Sequence, residues 1–435
     1  MSPLAGHPVE GRLALRFQWS AGPLGDRPVA RRGTPSGTWR RTRRLLLSFG
    51  ALVALSACAQ QVPAPYYGGV APLPQGQALP PEPQRAKVAL LLPLTGSNAQ
   101  LGQAMLNAAQ LALFEQGSPG FEFVPRDTGS TAQGAAEAAR AAIAGGARVL
   151  VGPLTAGETA AAAAPARAAG VPMLPFTNDA NQASASVWPL GITPRQQMRR
   201  LVAGAHAQGA QRFALAAPSG AFGQQLADGL RSAASDLGLP PPTIITYPAA
   251  AAASLAARDV AQKLAPSEAT ASPIAPQGGA AADLLILGES GARARDFAAG
   301  LAESGMPVPK LAGTILWATD PSLAQVPALA GAWYPGPDPA AHAQFESRFQ
   351  AAFGTTPSRV VGVAYDAAAI AARAMRGQPD AVPPMPVGEL VLGADGALRL
   401  GQNGEVQRAL AVFALTPGVE GQVVQPADMP GSVGF

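Results

Sequence analysis

The chain of 435 residues holds a single cysteine, Cys58, so no disulfide can close within it. Its stability must come from buried apolar surface instead of covalent staples. Histidine is almost as scarce, with only His7, His206 and His342. No Cys or His pair has the spacing of a zinc site. Aromatics make up 6% and charged residues 13%, which leaves few rings for stacking bases or flat cofactors. No phosphate-cradling or dinucleotide-type glycine loop follows a strand-like run, which argues against an NTPase or a nicotinamide enzyme. No cofactor is expected.

The positive net charge of +4 is unevenly placed. Residues 1–57 carry nine arginines against Glu10 and Asp26, whereas the remainder holds 25 acids and 22 bases. A slightly acidic body without clustered Lys and Arg offers no footprint for nucleic acid. Arg40, Arg41, Arg43 and Arg44 precede a thirteen-residue apolar run at 45–57, shorter than the ~20 residues of a spanning helix. This is the n-region and apolar core of a secretion signal. The run ends Leu55-Ser56-Ala57-Cys58, which resembles a bacterial lipobox and implies a lipid on Cys58 that anchors a periplasmic protein to the membrane. The alternative is a buried core cysteine after an ordinary signal. Ala59 stands where an Asp commonly retains lipoproteins at the inner membrane, which favours the outer membrane. Pro63, Pro65, Pro72, Pro74, Pro80 and Pro81 make 58–84 a semi-extended tether.

From residue 85 short apolar runs alternate with Ala-rich amphipathic stretches. The pattern predicts strands at 87–92, 121–124, 148–151 and 171–176, with helices at 101–114, 131–144 and 156–169. After Thr193-Pro194 it restarts, with helices at 195–208 and 223–237 and strands at 213–217, 244–247 and 283–287. Residues 265–282 read as an inserted surface loop. Helices follow at 340–353 and 358–375, and 389–415 has hairpin character with turns at Asp395-Gly396 and Asn403-Gly404. Continuous apolar strands alternating with helices imply parallel sheets covered on both faces. The expected fold is α/β, two doubly wound parallel-sheet lobes joined by hinge strands. The first lobe is expected over 85–192 plus 334–382, the second over 193–333 plus 383–435.

Ligands bind such folds at the carboxyl edge of the strands. There the first junction offers Ser97 and Asn98, the third Thr155, and the fourth Thr177 and Asn178. Hydroxyls and free N–H groups at helix starts suit an anion, although Ser and Asn also cap ordinary helices. A catalytic reading has one candidate: Gly288-Glu289-Ser290-Gly291-Ala292 between a strand and a helix, followed by Asp320 or Asp338 and then His342. Ala292 replaces the last glycine of a nucleophile elbow, and the segment reads better as a turn. The chain is expected not to be an enzyme.

The run Val88-Ala89-Leu90-Leu91-Leu92-Pro93-Leu94-Thr95-Gly96, then Leu101-Gly102, looks like the opening of type I periplasmic binding proteins of the leucine/isoleucine/valine-binding family. Arg126-Asp127-Thr128, Val151-Gly152-Pro153-Leu154 and Ala364-Tyr365-Asp366-Ala367 fit the same pattern. The resemblance covers about 85–415. It implies two lobes closing on a small amino-acid-like ligand, with three hinge strands. It puts a carboxylate grip near Thr155 or Ala156 and a second at Thr177 or Asn178. Phe222-Gly223 stands where Tyr-Gly is common, and no carboxylate precedes Asp320 in the stretch that should hold a ligand ammonium. A narrower resemblance, to lipoprotein activators of penicillin-binding proteins, is carried by residues 99–112 and 401–412. It implies a penicillin-binding protein as partner and a role in peptidoglycan synthesis. The alternative is the solute receptor of an amino-acid ABC transporter, with a permease as partner.

Overall fold

The computed structural model describes residues 85–116, 120–265, 281–305, 307–376 and 383–429. The leader, Cys58 and the tether lie outside the described residues, as does most of the loop expected at 265–282.

The first lobe opens with β1 (Ala86–Leu92), α1 (Ala99–Gln116), β2 (Phe121–Asp127), α2 (Ala132–Ala144), β3 (Ala147–Val151), α3 (Ala156–Ala168) and β4 (Met173–Leu174). Its sheet is parallel, in the order β2-β1-β3-β4. The strand β1 is buried at every position but Lys87, as a central parallel strand covered by helices on both faces must be. Only two residues of the run expected at 171–176 form a strand. The prolines on either side, Pro172 and Pro175, have no N–H to give to a ladder.

The chain then crosses to α4 (Pro194–His206), β5 (Phe213–Pro218), α5 (Ala221–Asp236), β6 (Thr243–Tyr247), α6 (Ala253–Lys263), β7 (Leu284–Leu287), α7 (Gly291–Glu303), β8 (Lys310–Ala312) and β9 (Trp333–Gly336). It returns through α8 (Pro339–Phe353), α9 (Gly362–Ala374), β10 (Leu390–Gly393), β11 (Gly396–Leu400) and β12 (Val406–Arg408). A last crossing leads to β13 (Leu410–Thr416) and β14 (Val419–Asp428). The second lobe's sheet runs β14-β13-β9-β8-β7-β5-β6. It is mixed and not wholly parallel as expected, because β13 pairs antiparallel with both β9 and β14.

Two boundaries differ from the sequence reading. The strand β9, whose residues 334–336 were expected in the first lobe, belongs to the second lobe's sheet. Residues 383–408, expected in the second lobe, pack on the first: Val391, Leu398, Leu400 and Val406 join the core formed by β1, α1 and α9. The reason is an ion pair that periodicity does not reveal. Asp366 on α9 accepts from Arg408 Nη1 at 2.8 Å and from the Ala394 N–H, and both acid and base are almost wholly buried. Burial pushes the Asp366 carboxyl up, against the pull of Arg408. Gly393 is required here, since a Cβ would sit 2.3 Å from Asp366 Oδ1. At the other hairpin tip Gly404 has φ +78° and lies so close to the carbonyls of Ser184 and Val187 that no side chain fits.

The chain passes between the lobes three times among the described residues, near 191–193, 336–339 and 408–410. The first and third passages are laced together. Gln196 donates to the Val406 carbonyl, Arg200 Nε to the Leu410 carbonyl, and Arg408 Nη2 to the Leu190 carbonyl at 3.1 Å. No described helix is long and apolar enough to cross a membrane.

Candidate functional site: a cavity between the lobes

Parallel strands end where their helices begin, so both sheets present loops and helix starts to the space between the lobes. A cavity of about 540 Å³ lies there. Leu101, Met105, Leu154 and Phe176 line it from the first lobe, and Ile315 and Leu316 from the second. The passages between the lobes contribute Leu190, Gly191, Ile192, Pro337 and Arg408. The wall is thus largely aliphatic. A second hollow of about 460 Å³ adjoins it, sharing Ala318, Pro337 and Arg359 and reaching Asp320, His342 and Glu346.

Of the residues singled out in the sequence, Thr155, Thr177 and Asn178 line the main cavity. Ser97, Asn98 and Phe222 line neither hollow. The first junction is turned to its neighbour instead. Asp127 at the end of β2 accepts from Thr95 Oγ1 at 2.6 Å and from the N–H groups of Leu94, Thr95 and Gly129, while the Asn98 N–H donates to Ser130 Oγ. Burial opposes them, yet these donors together hold Asp127 below the usual carboxylate range. Phe222 packs against the second lobe's core at the start of α5.

Thr155 caps α3 and is fully engaged. Its N–H and its hydroxyl both donate to Glu158 Oε2 at 2.9 Å, and its oxygen accepts the Glu158 N–H at 3.2 Å. This is a capping box. Glu158 is 2% exposed, and its other oxygen accepts from Thr128 Oγ1 at 2.6 Å. The spacing of Thr155 and Glu158 was legible in the sequence; that the glutamate is buried and holds three donors was not. Thr177 Oγ1 accepts the Asp179 N–H at 3.1 Å. Asp179 in turn accepts from Gln225 Nε2 of α5 at 2.9 Å, a hydrogen bond that joins the two lobes.

The two buried charged groups on the cavity wall are matched. Arg408 is paired with Asp366, and Asp395 Oδ1 lies 2.8 Å from His342 Nδ1. That bond raises the His342 pKa, although burial pulls the other way. Sequence reasoning missed Asp395 as a lining residue, because it sits in a hairpin turn and not at the carboxyl edge of a parallel strand. Asp320, the nearest acid after the stretch expected to hold an ammonium, lies outside the main cavity; it pairs with Arg295 at 3.3 Å and accepts from Ser322.

The serine constellation does not come together. Ser290 lines neither hollow and starts α7 without a side-chain hydrogen bond. Neither Asp320 nor Asp338 orients His342, whose ring is taken by Asp395; Asp338 caps α8 instead. Beside Ser290, Glu289 is 5% exposed and receives two hydrogen bonds from Arg293 and one from the Tyr247 hydroxyl. Burial and the neighbouring carboxylate push that hydroxyl far above the usual phenol range. Among the described residues no cluster of His, Cys, Asp and Glu could hold a metal ion.

Two lobes, three passages and a cavity at the facing strand ends define a flytrap-type binding protein. A family model described as periplasmic binding protein matches residues 85–382. The chain belongs to that family. Solved structures agree in fold. A protein of Rhodospirillum rubrum assigned to a branched-chain amino acid ABC transporter is 19% identical, with a TM-score of 0.65, covering 78% of this chain and 100% of its own. A solute binding protein of an ABC transporter from Rhodopseudomonas palustris, in complex with 3,4-dihydroxybenzoic acid, is 18% identical with a TM-score of 0.54, over 79% of this chain and 96% of its own. The branched-chain amino acid transporter substrate binding protein of Streptococcus pneumoniae, in complex with isoleucine, is 16% identical with a TM-score of 0.52, over 80% of this chain and 100% of its own. At these identities the likeness is one of fold. No curated protein matches the sequence.

Proposed function

We propose that this chain is a non-catalytic periplasmic lipoprotein, anchored through Cys58 to the outer membrane, whose cleft receives a small ligand and whose body acts on a penicillin-binding protein that builds peptidoglycan. The observation that carries the reading away from amino-acid uptake is the matched charge of the cavity. Its one lining acid, Asp395, is held by His342, so a ligand ammonium would be buried without a free counter-charge, a costly state. The tether at 58–84 and the residues 99–112 and 401–412, which resemble activator lipoproteins, support the choice of partner.

A second reading, the solute receptor of an ABC transporter, is favoured by the retained cavity with walls from both lobes and by relatives that hold isoleucine or 3,4-dihydroxybenzoic acid. Capture from solubilised membranes on the full-length lipidated protein separates the two. Enrichment of penicillin-binding proteins, read with a fluorescent penicillin, is the expected result. Enrichment of permease subunits without any penicillin-binding protein would transfer the assignment to transport.

A further inference from the structure

We propose that the cavity between the lobes takes an uncharged ligand, an apolar body bearing one amide or hydroxyl group, in place of an amino acid or carboxylic acid. The inference rests on reading the cleft as a ligand site and names the class of molecule that site accepts.

The argument begins with Glu158. Thr155 was the expected carboxylate grip at the start of α3, and Glu158 Oε2 already accepts both its N–H and its hydroxyl. Glu158 also lies buried behind that position, fixed by Thr128. An incoming anion would find the donors of Thr155 spent and a like charge close behind them in a medium of low dielectric. The protein's own carboxylate occupies the grip.

The same economy holds for the buried charges on the wall. Asp395 is matched by His342, and Arg408 by Asp366 and the Leu190 carbonyl. Arg359 stands at the exposed rim shared by the two hollows, where water screens it. Two neutral groups remain. The Asn178 carboxamide lines the cavity and has no hydrogen bond among the described residues. The Thr177 hydroxyl accepts one N–H and keeps its own O–H to donate. A carboxamide and a hydroxyl set in an aliphatic wall satisfy one neutral polar group and leave the rest of the ligand to apolar contact.

The test uses the purified full chain and matched probes: benzamide and isobutyramide against benzoate, isobutyrate and L-leucine, by calorimetric titration and thermal unfolding. The amides are expected to raise Tm by a few degrees at saturation, and the acids and leucine to leave it unchanged. Glu158→Gln keeps an acceptor for the cap and removes the charge, so its affinity for benzoate should improve about tenfold over the parent while benzamide binding stays the same. Asn178 is exposed, so Asn178→Leu should keep the Tm of the unliganded protein and lose the response to amides. Benzoate or leucine binding the parent as tightly as the matched amide would overturn the proposal yet leave the cleft a ligand site. An E158Q response to benzoate equal to the parent's would do the same. A flat response to all five probes would remove both the ligand class and the ligand site.

Discussion

Each lobe buries a glutamate at the carboxyl edge of its parallel strands, and the two lobes satisfy it by different means. In the first, Glu158 is surrounded by neutral donors, the hydroxyls of Thr128 and Thr155 and a backbone N–H. In the second, Glu289 is held by the cation Arg293 and by the Tyr247 hydroxyl. Neutral donors cancel no charge, so the field of Glu158 persists at the edge of the cavity. The charge of Glu289 is cancelled where it stands. A rim rich in hydroxyls therefore need not be a rim that binds anions; here the hydroxyls serve an anion of the protein's own.

The largest way to break this comparison is at the ion pair beneath the cavity. Arg408→Ala leaves Asp366 buried without its cation and is expected to cost about 3–5 kcal/mol in urea unfolding. Replacing both partners together, Asp366→Leu with Arg408→Met, should recover most of the loss, because two buried charges then vanish at once. If the double variant is no better than the single, the cost lies in packing and not in charge.

Glu158 and Glu289 can be tested against each other. Glu158→Ala strands the wholly buried Thr128 hydroxyl and removes the glutamate half of the capping box, and should cost about 1–3 kcal/mol. Glu158→Gln should lose much less, because a carboxamide oxygen still accepts from the cap. Arg293→Ala should cost under about 1 kcal/mol, since its side chain is 40% exposed and water can take over the solvation of Glu289. Equal losses at the two rims would refute the distinction between them.

The smallest effect is one of pH. Asp395 raises the pKa of His342 against burial and against the repulsion of Arg359, and Glu346 adds a weaker pull upward. The folded protein then binds that proton more tightly than the unfolded chain does. The stability it contributes is complete below the unfolded value of ~6.5 and fades as pH rises through the folded value. Thermal midpoints measured from about pH 6 to about pH 9 should fall in the parent and fall less in His342→Gln.

Much of the architecture could be read from periodicity. The predicted strand at 87–92 and helix at 156–169 match β1 and α3 within a residue or two at each end, because continuous burial and helical spacing leave direct marks on sequence. The site was legible only in part. Thr155, Thr177 and Asn178 follow the two strands whose ends face the cavity, whereas the loop holding Ser97 and Asn98 is drawn aside to Asp127 and Ser130. Which strand end points where depends on sheet order, and Asp127 beside Thr95 is a consequence of β2 pairing with β1 in register. Ile315 and Leu316 line the cavity from a short 3-10 turn, which is too brief to leave a periodic mark in the sequence. Residues 383–408 were placed on the wrong lobe because a hairpin's pattern says that it has a buried face, and not which core covers it.

The lacing of the first and third passages carries a consequence for mechanics. Gln196, Arg200 and Arg408 tie the segments near 191–200 to those near 406–410 through main-chain carbonyls. Two cross-linked segments resist independent bending, so the soft coordinate left to the molecule is torsion about the band they form together. Under such a constraint the lobes travel along one arc.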